Sequence, residues 1–238
     1  METFHWWFRG RSKILPALIR PYARRPSRIL DVGSCGGGVT QALSEFGHVT
    51  ACDVDIRCAV AVQRRSGIDF VYGRAEALPF PDASFDLVTA FDVLEHVDDD
   101  TLVLREMRRL LAKDGAIAVT VPAYQWLWGR QDEVSNHRRR YSARLLRERM
   151  VAAGFRIQRL TFFNTLLFPA AAGIRLFRRV FPSGRAAGSS VQSDFSMTGP
   201  GRFNDVLASV FGAERFSLRY VDFPVGVSLF AMATADRP

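Results

Sequence analysis

The sequence predicts an α/β domain built on a doubly wound, mostly parallel sheet of seven strands. A helix precedes the first strand, and an insertion precedes the last. Three observations carry this prediction. Short apolar runs alternate with stretches of helical spacing through the first half of the chain. The first run ends in a glycine cluster, the mark of a tight strand-to-helix turn. Beyond residue 121 the regularity continues as a helix, a strand and a late final strand. Strands that alternate with helices form a parallel sheet covered on both faces.

Pro26-Ser27 leads into Arg28-Ile-Leu-Asp-Val32, the first buried strand. Val39 to Phe46 has helical spacing, His48 to Asp53 reads as the second strand and Cys58 to Arg65 as the next helix. Asp69 to Tyr72 is the third strand, and the turn-rich Pro79 to Ser84 introduces the fourth, Phe85 to Ala90. Leu102 to Leu111 repeats apolar residues at helical spacing and should stop at Lys113-Asp114-Gly115. Ala116 to Val121 is the fifth strand. Ser142 to Ala153 is a helix closed by Gly154, Phe155 to Phe163 a strand, and Val225 to Ala233 the last. About 60 residues separate those two strands, far more than an ordinary connection, so that stretch should carry structure or function. Pro182 to Gly201, rich in Ser, Gly and Ala, reads as a mobile loop. Right-handed crossovers bring the loops after strands one, two and four to one edge, where ligands bind in open sheets.

At 238 residues with 48% apolar content the chain can bury a sizeable core in a single domain. Its division is expected as an N-terminal cap helix over 1–26, a cofactor-binding core over 27–163, a lid or acceptor insertion over 164–222 and a final strand over 223–238. Three cysteines (Cys35, Cys52 and Cys58) without metal-ligand spacing suggest reduced thiols in a cytoplasmic protein. The first ten residues lack the pattern of a signal peptide, and no apolar run reaches the length of a membrane span. The net charge of +8 is unevenly placed. Residues 1–120 hold 15 basic and 16 acidic side chains, residues 121–238 hold 17 and 8, and nearly every cation is arginine. Such a bias is either compositional or a surface for an anionic substrate, a membrane face or nucleic acid.

The stretch Ile29-Leu-Asp-Val-Gly-Ser-Cys-Gly-Gly-Gly38 is the most informative. A dinucleotide loop needs G-x-G-x-x-G; read from Gly33 the frame meets Cys35, and from Gly36 it meets Gln41. The Gly-Lys-Ser/Thr of a P-loop is absent. The stretch instead resembles motif I of the class I S-adenosylmethionine-dependent methyltransferases, bacterial small-molecule type. Asp31, Gly33 and Gly37 match it, and Cys35 replaces the middle glycine. Asp53 closes strand two, where the family's acid binds both ribose hydroxyls. A carboxylate suits a vicinal diol because it accepts two charge-assisted hydrogen bonds. Gly73-Arg-Ala-Glu-Ala-Leu-Pro-Phe-Pro-Asp82 resembles the family's segment after strand three, with Ala75 and Glu76 flanking the adenine. Ser84-Phe-Asp-Leu-Val88 followed by Asp92-Val-Leu-Glu-His96 resembles its strand-four signature.

The resemblance covers about Ser27 to Gly154 and implies a Rossmann-like methyltransferase fold with S-adenosyl-L-methionine as cofactor. The implied cofactor shell is Asp31, Gly33, Ser34, Cys35, Gly37, Asp53, Val54, Ala75, Glu76 and Phe91. By the same resemblance His5 to Gly10 begins a helix lying over the cofactor, with Arg9 the candidate partner of the methionine carboxylate.

Methyl transfer is an in-line displacement with a neutral leaving group, so positioning and water exclusion do most of the work. A base is needed only when the acceptor holds a proton tightly. Two constellations bear on that need. Asp92-x-x-Glu95-His96 places carboxylates and an imidazole near one turn; such a set can hold a divalent ion. The pattern also occurs in relatives without metal, and the expectation here is no metal, with His96 lining the transfer site. Trp126-Leu-Trp-Gly-Arg-Gln-Asp-Glu133 and Asn136-His-Arg-Arg-Arg-Tyr141 follow strand five on the acceptor side. There His137 is expected to take a proton, Tyr141 to orient the acceptor, and an arginine among 138–140 to hold an anionic group.

Phe162 to Phe181 is strongly apolar but carries Pro169, Gly173 and arginines. It suits an acceptor-pocket roof, a dimer contact or a helix lying in a membrane interface. The expected function is methyl transfer to an oxygen or nitrogen of a small, anionic or lipid-linked acceptor. The expected location is cytoplasmic, with membrane-peripheral contact as an option and nucleic acid not favoured. Two rival readings remain at this point: an RNA methyltransferase, and a cofactor-binding interaction protein without catalysis.

Overall fold

The computed structural model describes residues 5–23, 27–65, 67–180 and 201–236. Helix α1 (Trp6–Ile19) is followed by β1 (Ser27–Val32), α2 (Gly38–Leu43), β2 (Gly47–Asp53), α3 (Arg57–Gln63), β3 (Ile68–Tyr72) and β4 (Phe85–Phe91). Then come α4 (Asp100–Leu110), β5 (Leu111–Pro122), a short 3-10 turn (Gln125–Leu127), α5 (Arg130–Val134), α6 (Ala143–Ala152) and β6 (Phe155–Phe163). Helices α7 (Phe168–Val180) and α8 (Arg202–Ser217) precede β7 (Ser228–Ala235).

The seven strands form one sheet in the order β3-β2-β1-β4-β5-β7-β6. β1 to β5 run parallel, and β7 lies antiparallel between β5 and β6. The chain reverses direction across the sheet after β3, because β4 pairs with β1 on its other side. That switch point opens a crevice beyond the carboxyl ends of β1 and β4. β6 ends level with the start of β7 and the end of β5 (Phe163 opposite Ser228, Pro122 opposite Ser228), so Asn164 emerges at the same edge.

The buried strands are apolar because both faces are covered. One face carries α4 and α6, whose Val103, Leu104, Met107, Leu146 and Met150 pack with Leu30, Val88 and Val119. The other carries α1, α2, α3 and α8, whose Ile14, Leu18, Leu43, Val62 and Phe211 pack with Ile29, Val49 and Ala118.

Two expectations differ from the structure, and a third lies beyond what it describes. The α4 helix stops one residue early, since Leu111 is already extended (ψ 125°) and begins β5. Asp114 takes a left-handed φ of 62°, and a Cβ on Gly115 would stand 3.1–3.2 Å from the carbonyl oxygens of Ala112, Asp86 and Phe85. The turn closes against β4 itself, so strand pairing overrides the helical spacing. The 164–222 segment divides in two. Helix α7 overhangs the carboxyl edge, whereas α8 is a layer of the core, crossing α1 where Gly10 and Gly212 let the backbones approach. Phe211 of α8 is fully buried, stacked on Trp7 with ring centroids 5.3 Å apart. The loop expected at 182–201 lies outside the described residues except for Gly201.

Candidate active site

Three non-glycine residues with left-handed backbone stand just past the carboxyl ends of three neighbouring strands: Cys35 after β1 (φ 47°), Asp92 after β4 (φ 57°) and Tyr124 after β5 (φ 58°). Side chains rarely adopt this conformation, and such strain gathers at functional edges. In the first loop Gly33 has φ 72°, and a Cβ there would stand 2.4 Å from Val93 Cγ2. Only glycine fits between β1 and the turn after β4.

Asp53 lies at the end of β2 and clasps that loop. Its Oδ2 accepts the Cys35 N–H at 2.9 Å and its Oδ1 accepts the Asp55 N–H at 2.9 Å. Each oxygen retains a lone pair, so a diol can still be held. Ser34 is buried, with a hydroxyl that has no hydrogen-bond partner, and Val54 is 57% exposed beside Asp53. An orphaned hydroxyl, an acid aimed outward from a strand end and an open apolar shelf fit the hydroxyls and purine of S-adenosylmethionine. When bound, that cofactor supplies an electrophilic methyl on a sulfonium.

Other expected members of the shell are placed differently. Asp31 lies beneath the loop as its brace: Thr40 Oγ1 and Thr89 Oγ1 each donate to it at 2.6 Å. Burial pushes its carboxyl up to about 6, against the pull of those two hydroxyls and of Arg11. Phe91 and Ala75 are packed in the core, and Glu76 faces Arg74 at 3.6 Å. Gly37 takes φ 73° as it starts α2.

On the acceptor side the turn after β4 meets the segment between α5 and α6. The Arg138 N–H donates to the Glu95 carbonyl oxygen at 2.7 Å, and Arg138 Nε donates to the His96 carbonyl oxygen at 3.0 Å. These bonds bring His96 and His137 together, with rings edge to face and centroids 4.7 Å apart. His137 Nδ1 donates to Asp132 Oδ1 at 2.9 Å, which leaves Nε2 free to accept. His96 reaches solvent, yet partial desolvation against the pocket lowers its pKa, reinforced by His137. Glu95 is fully buried, and neither carboxylate oxygen has a hydrogen-bond partner. Burial and the neighbouring Asp92 push its carboxyl well above the usual range. An aromatic wall flanks the cleft: Tyr124 stacks on Phe162 at 5.3 Å and leans on Trp126 and Phe168 at 5.7 Å each.

Three expectations fail here. Tyr141 cannot orient an acceptor. It is fully buried, its hydroxyl 2.8 Å from Asp100 Oδ2 and 3.1 Å from the Leu94 carbonyl oxygen, and burial pushes its phenol up. Each guanidinium of residues 138–140 already has a carboxylate partner. Arg138 pairs with Asp98, Arg139 with Asp100 at 3.1 Å, and Arg140 grips both oxygens of Asp132 at 2.8 and 3.0 Å. Arg9 likewise pairs with Asp205 across the α1–α8 interface.

Sequence reasoning missed Arg11, Asp132 and the state of Glu95. Arg11 reaches under the edge from α1 with its Nη1 2.8 Å from Asp92 Oδ2, and Asp92 also accepts from Thr120 Oγ1 at 3.0 Å. The available signal was an arginine on the apolar stripe of α1, three and four residues before Ile14 and Leu15. Asp132 carried no signal, because its partners come together only through the turn of the chain.

Asp53→Ala is expected to weaken S-adenosylmethionine binding by about 1–3 kcal/mol, roughly 5- to 150-fold in Kd. Titration calorimetry reads it, and an unchanged Kd removes Asp53 from the cofactor site.

Comparison with known proteins agrees with this geometry. A family profile described as "Methyltransferase domain" matches residues 30–119. The chain is 38% identical over 115 residues to the ubiquinone/menaquinone biosynthesis C-methyltransferase UbiE of Methylobacterium nodulans, covering 44% of this chain and 45% of that protein. It is 29% identical over 112 residues to norajmaline N-methyltransferase of Rauvolfia serpentina, covering 43% and 38%. The matched stretch thus spans less than half the length of either relative. An S-adenosylmethionine-dependent methyltransferase structure from Mesorhizobium loti superposes with a TM-score of 0.60 at 15% identity, covering 93% of this chain and 97% of that one, which shows a shared fold. With the profile over the glycine loop and both strand-end acids, residues 30–119 form a methyltransferase domain of the class I type, whose cofactor is S-adenosylmethionine.

Proposed function

We propose that the protein transfers a methyl group from S-adenosylmethionine to an oxygen or nitrogen atom of a small acceptor. The observation that carries this reading is the juxtaposition at one sheet edge of a cofactor cradle (Gly33, Ser34, Asp53) and a polar pocket formed by Glu95, His96 and His137. Asp53 holds the ribose end, the strained loops fix the two halves relative to each other, and the aromatic wall around Tyr124 excludes water. Holding two reactants in line in a dry site lowers the barrier without any covalent help from the protein.

An RNA acceptor is disfavoured by the arginine run, which is engaged in internal ion pairs instead of presented as a phosphate-binding stripe. A lipid-linked acceptor is supported by α7. That helix begins at the aromatic wall with Phe168 and exposes Ile174, Leu176 and Phe177, each more than half accessible. Among the described residues no helix is long and apolar enough to cross a membrane, so contact with a bilayer would be peripheral.

The test is incubation of the pure protein with methyl-labelled S-adenosylmethionine and bacterial extract, followed by partition. Label in the organic fraction supports the lipid-linked acceptor, and label in the aqueous small-molecule fraction a soluble one. Label on RNA overturns the assignment of the acceptor. Bound cofactor with no transfer to any fraction supports a non-catalytic, cofactor-binding protein instead.

A further inference from the structure

The polar pocket beyond the cofactor cradle contains more than acceptor-facing side chains. Glu95, His96 and His137 each offer one ligand atom, and these atoms all lie within 4.8 Å of one another. Glu95 is fully buried with both carboxylate oxygens unpartnered, an arrangement that costs free energy unless something positive or a proton meets them.

The charges around Glu95 sharpen the point. The two nearby cations are already matched, Arg11 to Asp92 and Arg140 to Asp132. That leaves one carboxylate in this cluster without an ion pair of its own.

Both imidazoles are held in the way that ligating imidazoles are. His137 Nδ1 donates to the buried Asp132 carboxylate, and a ring nitrogen of His96 hydrogen-bonds the Ser135 backbone. In each ring the second nitrogen is free to accept. Carboxylate or carbonyl partners of this kind fix the tautomer and orientation of a metal-binding histidine. Asp92, the acid suggested by sequence spacing, is not part of this group of mutually close atoms, and Arg11 already balances its charge.

We propose that Glu95, His96 and His137 form a binding site for one divalent first-row transition ion, with Asp132 as the positioning residue behind His137. Two nitrogens and one carboxylate oxygen suit zinc, cobalt, nickel or iron(II) over calcium or magnesium, which prefer all-oxygen shells. Three protein ligands leave coordination positions open, the pattern of sites that act on a substrate. An imidazole that ligates an ion cannot also take a proton, so the proposal makes His137 a ligand and not a base. It does not depend on the identity of the acceptor.

The test is titration of the metal-free full-length protein with cobalt(II), followed by visible absorption and equilibrium dialysis. The expected result is one ion per chain with d–d bands of nitrogen and oxygen ligation. His96→Ala and His137→Ala should each weaken binding by about tenfold or more. His96 is exposed, so its replacement by alanine should leave the fold intact and tests the site even if a Glu95 variant does not fold. Only four histidines are present in the chain, so attribution is direct. Absence of saturable binding overturns the proposal, as does unchanged affinity in both histidine variants. A thiolate-to-cobalt band lost in Cys35→Ser overturns it too, because the ion would then sit at Cys35.

Discussion

Asp132→Ala should lower the unfolding free energy by about 3–5 kcal/mol, the usual cost of stripping one partner from a buried ion pair. Asp132 is completely buried, and it accepts from Arg140 through two nitrogens, from His137 Nδ1 and from the Gly129 N–H at 2.8 Å. Removing the carboxylate leaves the Arg140 guanidinium, only 9% exposed, with the Ala123 carbonyl oxygen at 3.1 Å as its remaining described partner. The loss therefore reflects a charge left uncompensated in a poorly solvated place, not the worth of one hydrogen bond. Asp132→Asn keeps the volume but turns one acceptor into a donor facing the guanidinium, so its cost should fall below that of alanine without vanishing.

The same group sets a pH dependence. Burial alone would raise the Asp132 carboxyl, but His137, Arg140 and the Gly129 N–H outweigh it and hold it at about 2. Its folded value lies below its unfolded one. The stabilisation is therefore complete above about pH 4, the ordinary carboxylate value, and is lost as pH falls toward 2. Denaturant unfolding at pH 7 and in acid reads both effects. A loss under about 1 kcal/mol at pH 7 would mean that the network is a surface feature.

Phe211→Ala should cost a similar amount, about 3–5 kcal/mol, the range for emptying a core of a phenylalanine ring. The ring is stacked between Trp7 at 5.3 Å and Phe163 at 6.2 Å and meets the edge of Trp6 at 5.6 Å. It lies directly over Gly10, where a Cβ would come within 2.1 Å of it, so no neighbouring side chain can fill the space without a backbone shift. This substitution decides what α8 is. If α8 is part of the sheet's covering layer, the melting temperature and the denaturant midpoint both fall. If it is a lid, stability stays within about 0.5 kcal/mol and only ligand binding changes.

Much of the fold was legible in the sequence because its signals are local. A buried parallel strand is a short apolar run, and its companion helix repeats every three to four residues; neither needs to know where the chain goes next. Gly33 and Gly37 could be read the same way, since a positive φ is a demand made by a few adjacent residues. Asp53 could be placed because it closes the second strand, where the resemblance to the class I methyltransferases puts the ribose-binding acid.

Where the chain folds back on itself, local signals were insufficient. Tyr141 reads as a polar aromatic in a charged run, yet the pairing of Ala123 with Tyr141 carries it into the core, where Asp100 from another helix takes its hydroxyl. The arginines of 138–140 read as free cations, yet Asp98, Asp100 and Asp132 converge on them from two separate turns. Helix α8 reads as part of an insertion, yet α1, from the opposite end of the chain, needs a partner for its apolar face. By itself the sequence determined the strand–helix order, the glycine loop and the strand-end acids. The tertiary structure alone decided which charges neutralise one another, which aromatics are core and which three side chains meet beside the cofactor cradle. Ion pairing and burial depend on distances between residues far apart in the chain, and no local spacing encodes those distances.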